Sequence, residues 1–185
     1  MRLFILTHND SKFSEIAEVL LEYGIEAIQL RKKKFEIQAD EVSEIAFRAA
    51  EHECRELNTP IAVDDTALYI EALRGFPGPY AEYVFRTIGI SGILKLMEGK
   101  NNRKARFVTA VAYCNGRSVR VFEGILEGTI SDEARGEFGF GFDPIFIPEG
   151  SLKTLAEMTI AEKNMISHRA VAFRKLAEWL NNNKE

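Results

Sequence analysis

A chain of 185 residues can build one sizeable hydrophobic core but is short for two full domains. Its 46% hydrophobic and 28% charged residues make an ordinary soluble composition, and no apolar run is long enough to span a bilayer. The formal charge of −4 excludes a general nucleic-acid binder while leaving room for a small anionic ligand held by local lysines and arginines. No secretory leader is expected, because the apolar stretch Leu3–Leu6 is far too short, and Cys54 and Cys114 lack metal-ligand spacing. They read as separate reduced thiols of a cytoplasmic protein.

In chain order, Arg2 to Thr7 reads as a buried strand, and Lys12 to Tyr23 as an amphipathic helix with Phe13, Ile16, Val19 and Leu20 on one face and Gly24 as its stop. The joining segment Thr7-His8-Asn9-Asp10-Ser11-Lys12 admits two readings. It outlines a phosphate site, with backbone N–H groups and a positive dipole end beside the Lys12 ammonium, or it is an ordinary N-cap by Asn9, Asp10 or Ser11. It is not a Walker loop, since that motif's glycines are absent. Ile25 to Leu30 reads as a second strand, and the run Arg31 to Lys34 as a solvated turn. Glu36 follows. A helix is expected over Asp40 to Leu57, with Val42, Ile45, Ala46, Ala49 and Ala50 inward and Arg48 on a flank from which it could reach back toward Glu36.

Ile61 to Val63 reads as a short buried strand running into two adjacent acids, Asp64 and Asp65. In open α/β sheets ligands gather outside the carboxyl ends of strands, so two acids there could hold a divalent cation; a solvated Asp-Asp-Thr turn is the plainer alternative. Ala67 to Leu73 resembles another strand, Gly75 to Tyr80 is a rigid Pro/Gly loop, and Glu82 to Met97 is helical with a break at Gly89 to Ser91. Ala105–Tyr113 and Ser118–Glu127 form a hairpin across Asn115-Gly116.

Gly136 to Pro144 interleaves three phenylalanines with glycines and ends in Asp143 before a proline. Glycine lets a backbone approach a flat ligand and aromatic faces stack on bases, although the same pattern also suits a Gly-rich turn with core phenylalanines. Thr159 to Glu162 is a capping box opening a short helix that bears Lys163. Ser167 can cap the last helix, whose apolar face includes Ala172, Phe173, Leu176 and Leu180. His168 and Arg169 then occupy its first turn, where cations face the positive dipole end at a cost of a few tenths to about 1 kcal/mol each. A nearby anion would relieve that misfit.

Taken together, Thr7-x-Asn9-x-x-Lys12, Glu36, Asp64-Asp65-Thr66, Phe140-Gly141-Phe142-Asp143-Pro144-Ile145-Phe146 and Lys163-x-x-x-x-His168-Arg169 resemble the inosine triphosphate pyrophosphatase family, the non-canonical purine nucleoside triphosphate pyrophosphatases. The resemblance spans nearly the whole chain, and the order and spacing of the motifs are specific where each motif alone is weak. It implies an α/β fold with an elongated mixed sheet flanked by helices, a single bilobed domain with two lobes around a central cleft, and a homodimer. The implied reaction is Mg²⁺-dependent cleavage of ITP, dITP and XTP to the monophosphate and pyrophosphate. By the same resemblance Thr7, His8, Asn9, Asp10, Ser11 and Lys12 hold the phosphates, Asp65 accepts a proton and binds magnesium with Glu36, and Thr66 contacts substrate. Phe140, Gly141, Phe142 and Asp143 form the base pocket, closed by Lys163, His168 and Arg169.

The chain departs from the family pattern at several places. His8 replaces a small residue, Thr66 a serine, Ala67 a glycine and Phe142 a tyrosine or tryptophan, and Arg48 stands where many members have a phosphate-binding lysine. Independently of the resemblance, cleavage between α- and β-phosphates needs a neutralising cation, cationic side chains on the leaving pyrophosphate and a base for water, and this chain supplies candidates for each. His168 and Arg169 are donors suited to a 6-oxo purine. The rival readings are a Maf-like pyrophosphatase for modified standard nucleotides and a nucleotide sensor without catalysis.

Overall fold

The computed structural model describes residues 1–183. The elements run β1 (Arg2–Leu6), α1 (Asp10–Glu22), β2 (Glu26–Leu30), α2 (Val42–Leu57), β3 (Ile61–Ile70), β4 (Pro77–Gly78), α3 (Ala81–Thr87), α4 (Gly89–Leu96), β5 (Lys104–Cys114), β6 (Val119–Ile130), β7 (Phe146–Pro148), α5 (Ile160–Ile166) and α6 (His168–Asn182), with short 3-10 turns between some of them. The strands form one mixed open sheet in the order β2-β1-β3-β5-β6-β7, with β4 added beside β3. β1 pairs parallel with both β2 and β3, whereas β3–β4 and β6–β7 are antiparallel.

The helix ends follow from local chemistry. Asn9 caps α1 by accepting the Lys12 N–H, and the other end closes through Gly24 at φ +69, with the Gly24 N–H on Leu21 O and the Ile25 N–H on Leu20 O. α2 stops at Asn58, which takes the left-handed conformation. At the β5–β6 hairpin the Asn115 side chain accepts the N–H groups of Arg117 and Ser118, and Gly116 supplies the positive φ.

Two expectations for the chain path are corrected. The strand at Ile61 does not end before the acids, nor does a separate strand begin at Ala67, because β3 is a single strand of 10 residues running through Asp64 and Asp65. Aspartate is a poor strand former, but here cations neutralise both side chains, and the backbone keeps its extended course. Cys54 and Cys114 are not separate thiols: they are joined as a disulfide between α2 and β5, at a sequence separation of 60 that hides the pairing from any spacing rule.

The chain divides into two compact units, each discontinuous in sequence: residues 1–65, 109–124 and from 168 on form the first, and residues 66–108 and 125–167 the second. The core of the first joins Leu3, Ile5, Ile16, Val19 and Leu20 to Ala62, Val111, Phe173, Leu176 and Leu180. That of the second joins Leu68, Ile70, Val84, Ile93 and Met97 to Phe107, Ile130, Phe142, Ile145, Phe146 and Leu155. Within the first unit α6 lies so close to β6 at Gly124 that a Cβ there would collide with the His168 carbonyl oxygen and the Ala172 amide nitrogen. Gly124→Ala is therefore expected to cost about 1–3 kcal/mol or more, because the obstacle is backbone. A denaturant midpoint equal to that of the parent protein would refute the close approach.

Candidate active site

β3 pairs with β1 only through Ile61 and Ala62, so Asp64 and Asp65 lie just past the carboxyl end of that parallel pairing. The segment Thr7 to Lys12 leaves the same end of β1, and residues 31–36 follow the carboxyl end of β2. Strand polarity thus gathers the loop, the lysine run and the acids within the first unit.

Both readings of the loop meet in one structure. Asn9 is spent on the cap, and its own N–H donates to Thr7 Oγ1 at 3.2 Å. Asp10 accepts from Gln29 and pairs with Arg31, and these partners hold its carboxyl below the usual range. His8 and Ser11 are exposed. Lys12 turns inward, with Nζ 3.2 Å from Asp64 Oδ2.

The two acids differ sharply in setting. Asp64 is 2% exposed, with Lys12 Nζ 3.2 Å and Arg169 Nε 3.5 Å from its Oδ2. Burial disfavours its charge, but Lys12, Arg169 and Lys34 outweigh that and hold the carboxyl below the ordinary range. Asp65 is more accessible and accepts from Lys34 Nζ at 2.7 Å; the same ammonium lies 2.9 Å from the Asp64 carbonyl oxygen and 3.4 Å from Glu36 Oε1. Although burial opposes its charge, the Asp65 and Asp64 carboxylates hold Lys34 above the ordinary lysine value.

The run Arg31 to Lys34 is therefore solvated, as its sequence suggests, at Arg31, Lys32 and Lys33 but not at Lys34. Lys32 pairs with the buried Glu53 at 2.5 Å, the Phe35 N–H donates to the other Glu53 oxygen at 2.8 Å, and the Phe35 ring stacks on His52. Lys32 thus reaches Glu53 on α2, whereas Lys34 reaches the acids of β3. Arg48, expected to reach toward Glu36, instead pairs with Glu51 one turn along α2, at 3.3 Å. Lys34 stands beside Glu36 in its place.

His168 and Arg169, at the start of α6, are both buried in the first unit. His168 Nδ1 lies 2.6 Å from Thr109 Oγ1, and Arg169 Nη1 donates to Glu15 Oε2 at 2.6 Å while its Nε faces Asp64. The anion inferred from two cations at a helix start is thus supplied by Glu15 and Asp64. Glu15 was legible in principle: a carboxylate one turn before Val19, on the apolar stripe of α1, needs a buried partner.

The remaining expected residues fall in the second unit. Lys163 is 2% exposed, bonds Asp143 at 2.5 Å and holds its ammonium 4.8 Å from the centroid of the Phe140 ring. Asp143 also accepts the Phe140 N–H at 2.9 Å, which folds the Gly-rich segment back on itself; a Cβ at Gly139 would strike this carboxylate. Gly141 follows with φ +62. Phe142 is core: it is 3% exposed and packs edge-on against Phe85. Of the two phenylalanines expected to line a base pocket, Phe140 alone keeps partial exposure. Thr66, half-buried, directly follows Asp65 in β3.

The fit of a metal can be tested on Lys34. One ammonium already draws Asp65 and Glu36 oxygens to a common point, so two hard oxygen donors converge where a cation belongs. No cluster of three or more His, Cys, Asp or Glu that could cage a metal occurs among the described residues. Two carboxylates suit Mg²⁺, which keeps several waters and takes its remaining ligands from phosphates.

Fold and side chains define a class, an open mixed α/β protein whose acids and lysines gather at the carboxyl end of its parallel strands. The model of the Ham1 family matches residues 3–179, and the chain belongs to that family. Its similarity to the dITP/XTP pyrophosphatase of Pyrobaculum aerophilum reaches 52% identity over 182 residues, covering 98% of this chain and 97% of that protein. The dITP/XTP pyrophosphatase of Saccharolobus solfataricus is 48% identical over 180 residues, covering 97% and 94%. Among solved structures, a HAM1 protein from Coxiella burnetii superposes with a TM-score of 0.86 at 29% identity over 98% of this chain and 99% of that one. The Staphylococcus aureus Ham1 protein gives 0.84 at 27% over the full length of both. The resemblance read from the motifs holds at family level, and so does the mixed sheet with flanking helices.

Proposed function

We propose that this protein is a nucleoside triphosphate pyrophosphatase that hydrolyses ITP, dITP and XTP to the monophosphate and pyrophosphate, removing non-canonical purines from the cytoplasmic nucleotide pool. The observation that carries the reading is the convergence of Asp65 and Glu36 on one cation beside the Lys12 loop. Asp65 and Glu36 would hold Mg²⁺, which would supply charge neutralisation across the phosphates. Asp65, the more accessible of the two acids, accepts the proton of a water whose oxygen attacks the α-phosphorus; the bond to the bridging oxygen breaks, and pyrophosphate leaves with that electron pair. Lys12 and the N–H groups at the start of α1 hold the leaving group. Asp64, buried and paired, fixes Lys12 and Arg169. In the second unit, Phe140 offers a partly exposed ring face suited to stacking a nucleobase. A homodimer is supported by Tyr80, Tyr83, Phe85 and Ile88, large apolar side chains exposed on and around α3 that a second copy would cover.

The test is a product assay on ITP, XTP, ATP and modified pyrimidine triphosphates with and without chelator. Pyrophosphate released in a single step from ITP and XTP, abolished by excess EDTA, is expected. Orthophosphate as first product, full turnover in EDTA, or turnover confined to modified standard nucleotides would overturn it.

A further inference from the structure

In the reading above Lys34 only marks the point where Asp65 and Glu36 converge, yet its ammonium holds both acids. It touches Asp65 Oδ1, Glu36 Oε1 and the Asp64 carbonyl oxygen, and its side chain is 13% exposed. The backbone around it is fastened on both sides, by Lys32 to Glu53 and by the Phe35 N–H to the same carboxylate. Lys33, between these anchors, is exposed. Such a segment aims one lysine at one point.

We propose that Lys34 is a positioning residue, a resident ammonium that keeps Asp65 and Glu36 converged and neutralised until a divalent cation displaces it. The inference rests on the metal reading of those two acids. Without a cation the two carboxylates would repel each other in a partly buried setting, so the lysine preserves the site's geometry at the expense of metal affinity. Metal entry is then an exchange. Lys34 has to give up Asp65 and Glu36 together, and its flexible stem lets the head leave while the anchors at Lys32 and Phe35 stay.

The experiment is Mn²⁺ binding followed by electron paramagnetic resonance without nucleotide, on the full chain and on Lys34→Met, Lys33→Met, Glu36→Gln and Asp65→Asn. Lys34→Met is expected to bind Mn²⁺ about tenfold tighter or more, the scale for removing one unit charge from a partly buried site, with Lys33→Met close to the parent. In parallel, the parent protein is labelled with an amine-specific acetylating reagent and read by mass spectrometry. Lys34 should be protected in EDTA and several-fold more reactive at saturating Mg²⁺, a readout that does not depend on any variant folding. Unchanged or weaker Mn²⁺ binding by Lys34→Met, or Lys34 labelling indifferent to Mg²⁺, overturns the exchange while leaving the metal site intact, provided Glu36→Gln and Asp65→Asn still weaken binding. If those two variants bind Mn²⁺ like the parent, the metal reading fails and the exchange falls with it.

Discussion

Asp65→Asn is expected to lower kcat for ITP at least ~10²-fold, the usual contribution of a positioned general base, while nucleotide binding survives better than turnover. The amide keeps the shape and one oxygen but cannot accept a proton. It is also a poorer metal ligand, so the measurement belongs at saturating Mg²⁺, with pyrophosphate release as the readout. Asp64 is no substitute base: it is buried, and Lys12, Arg169 and Lys34 hold its carboxyl below the usual range, which makes it a weak proton acceptor. A kcat within a few-fold of the parent would remove Asp65 from the base role.

The second large effect falls on stability. Arg169 is 3% exposed, donates to the equally buried Glu15 and faces Asp64, so Arg169→Ala leaves two carboxylates with too little positive charge in a dry environment. Removing one partner of such an arrangement costs about 3–5 kcal/mol. Thermal or denaturant unfolding should show it, and pairing Arg169→Met with Glu15→Leu should recover much of the loss, because that pair leaves no uncompensated charge between them. A single-variant loss below about 1 kcal/mol would mean that water or a rearranged Lys12 compensates the acids. The same geometry governs how Arg169 variants are interpreted: a drop in ITP turnover counts as base selection only at a temperature where the variant is folded.

Sequence and structure agree where chemistry is local and diverge where it depends on partners. The faces of α1, α2 and α6, the Asn115-Gly116 hairpin and the Thr159 capping box were legible because periodicity and caps are written within a few residues. The acids at Asp64 and Asp65 were legible as a site, but β3 was read as two strands, since nothing near them in sequence reveals that Lys12 and Lys34 neutralise them. Lys34 was hidden in a charge run because the partners that tell its lysines apart, Glu53 for Lys32 and Asp65 for Lys34, lie about twenty and thirty residues away. Phe142 read as a stacking ring because a Gly-aromatic pattern does not say which phenylalanine the core consumes. Arg169 was placed correctly at a helix start requiring an anion, and the anion proved to be the protein's own.

The first unit draws its core from both extremes of the described chain, with Leu3, Ile5 and Ile16 packed in one cluster with Phe173, Leu176 and Leu180. All of residues 66–108 and 125–167, which build the second unit, leave the ribosome before α6 does. Domains fold as their residues become available during synthesis. Until α6 is available, Leu3 and Ile5 lack their α6 partners, and Asp64 lacks Arg169. Assembly of the charged centre therefore waits on α6, whose residues follow all of the second unit's in the chain and bring Arg169 to Asp64.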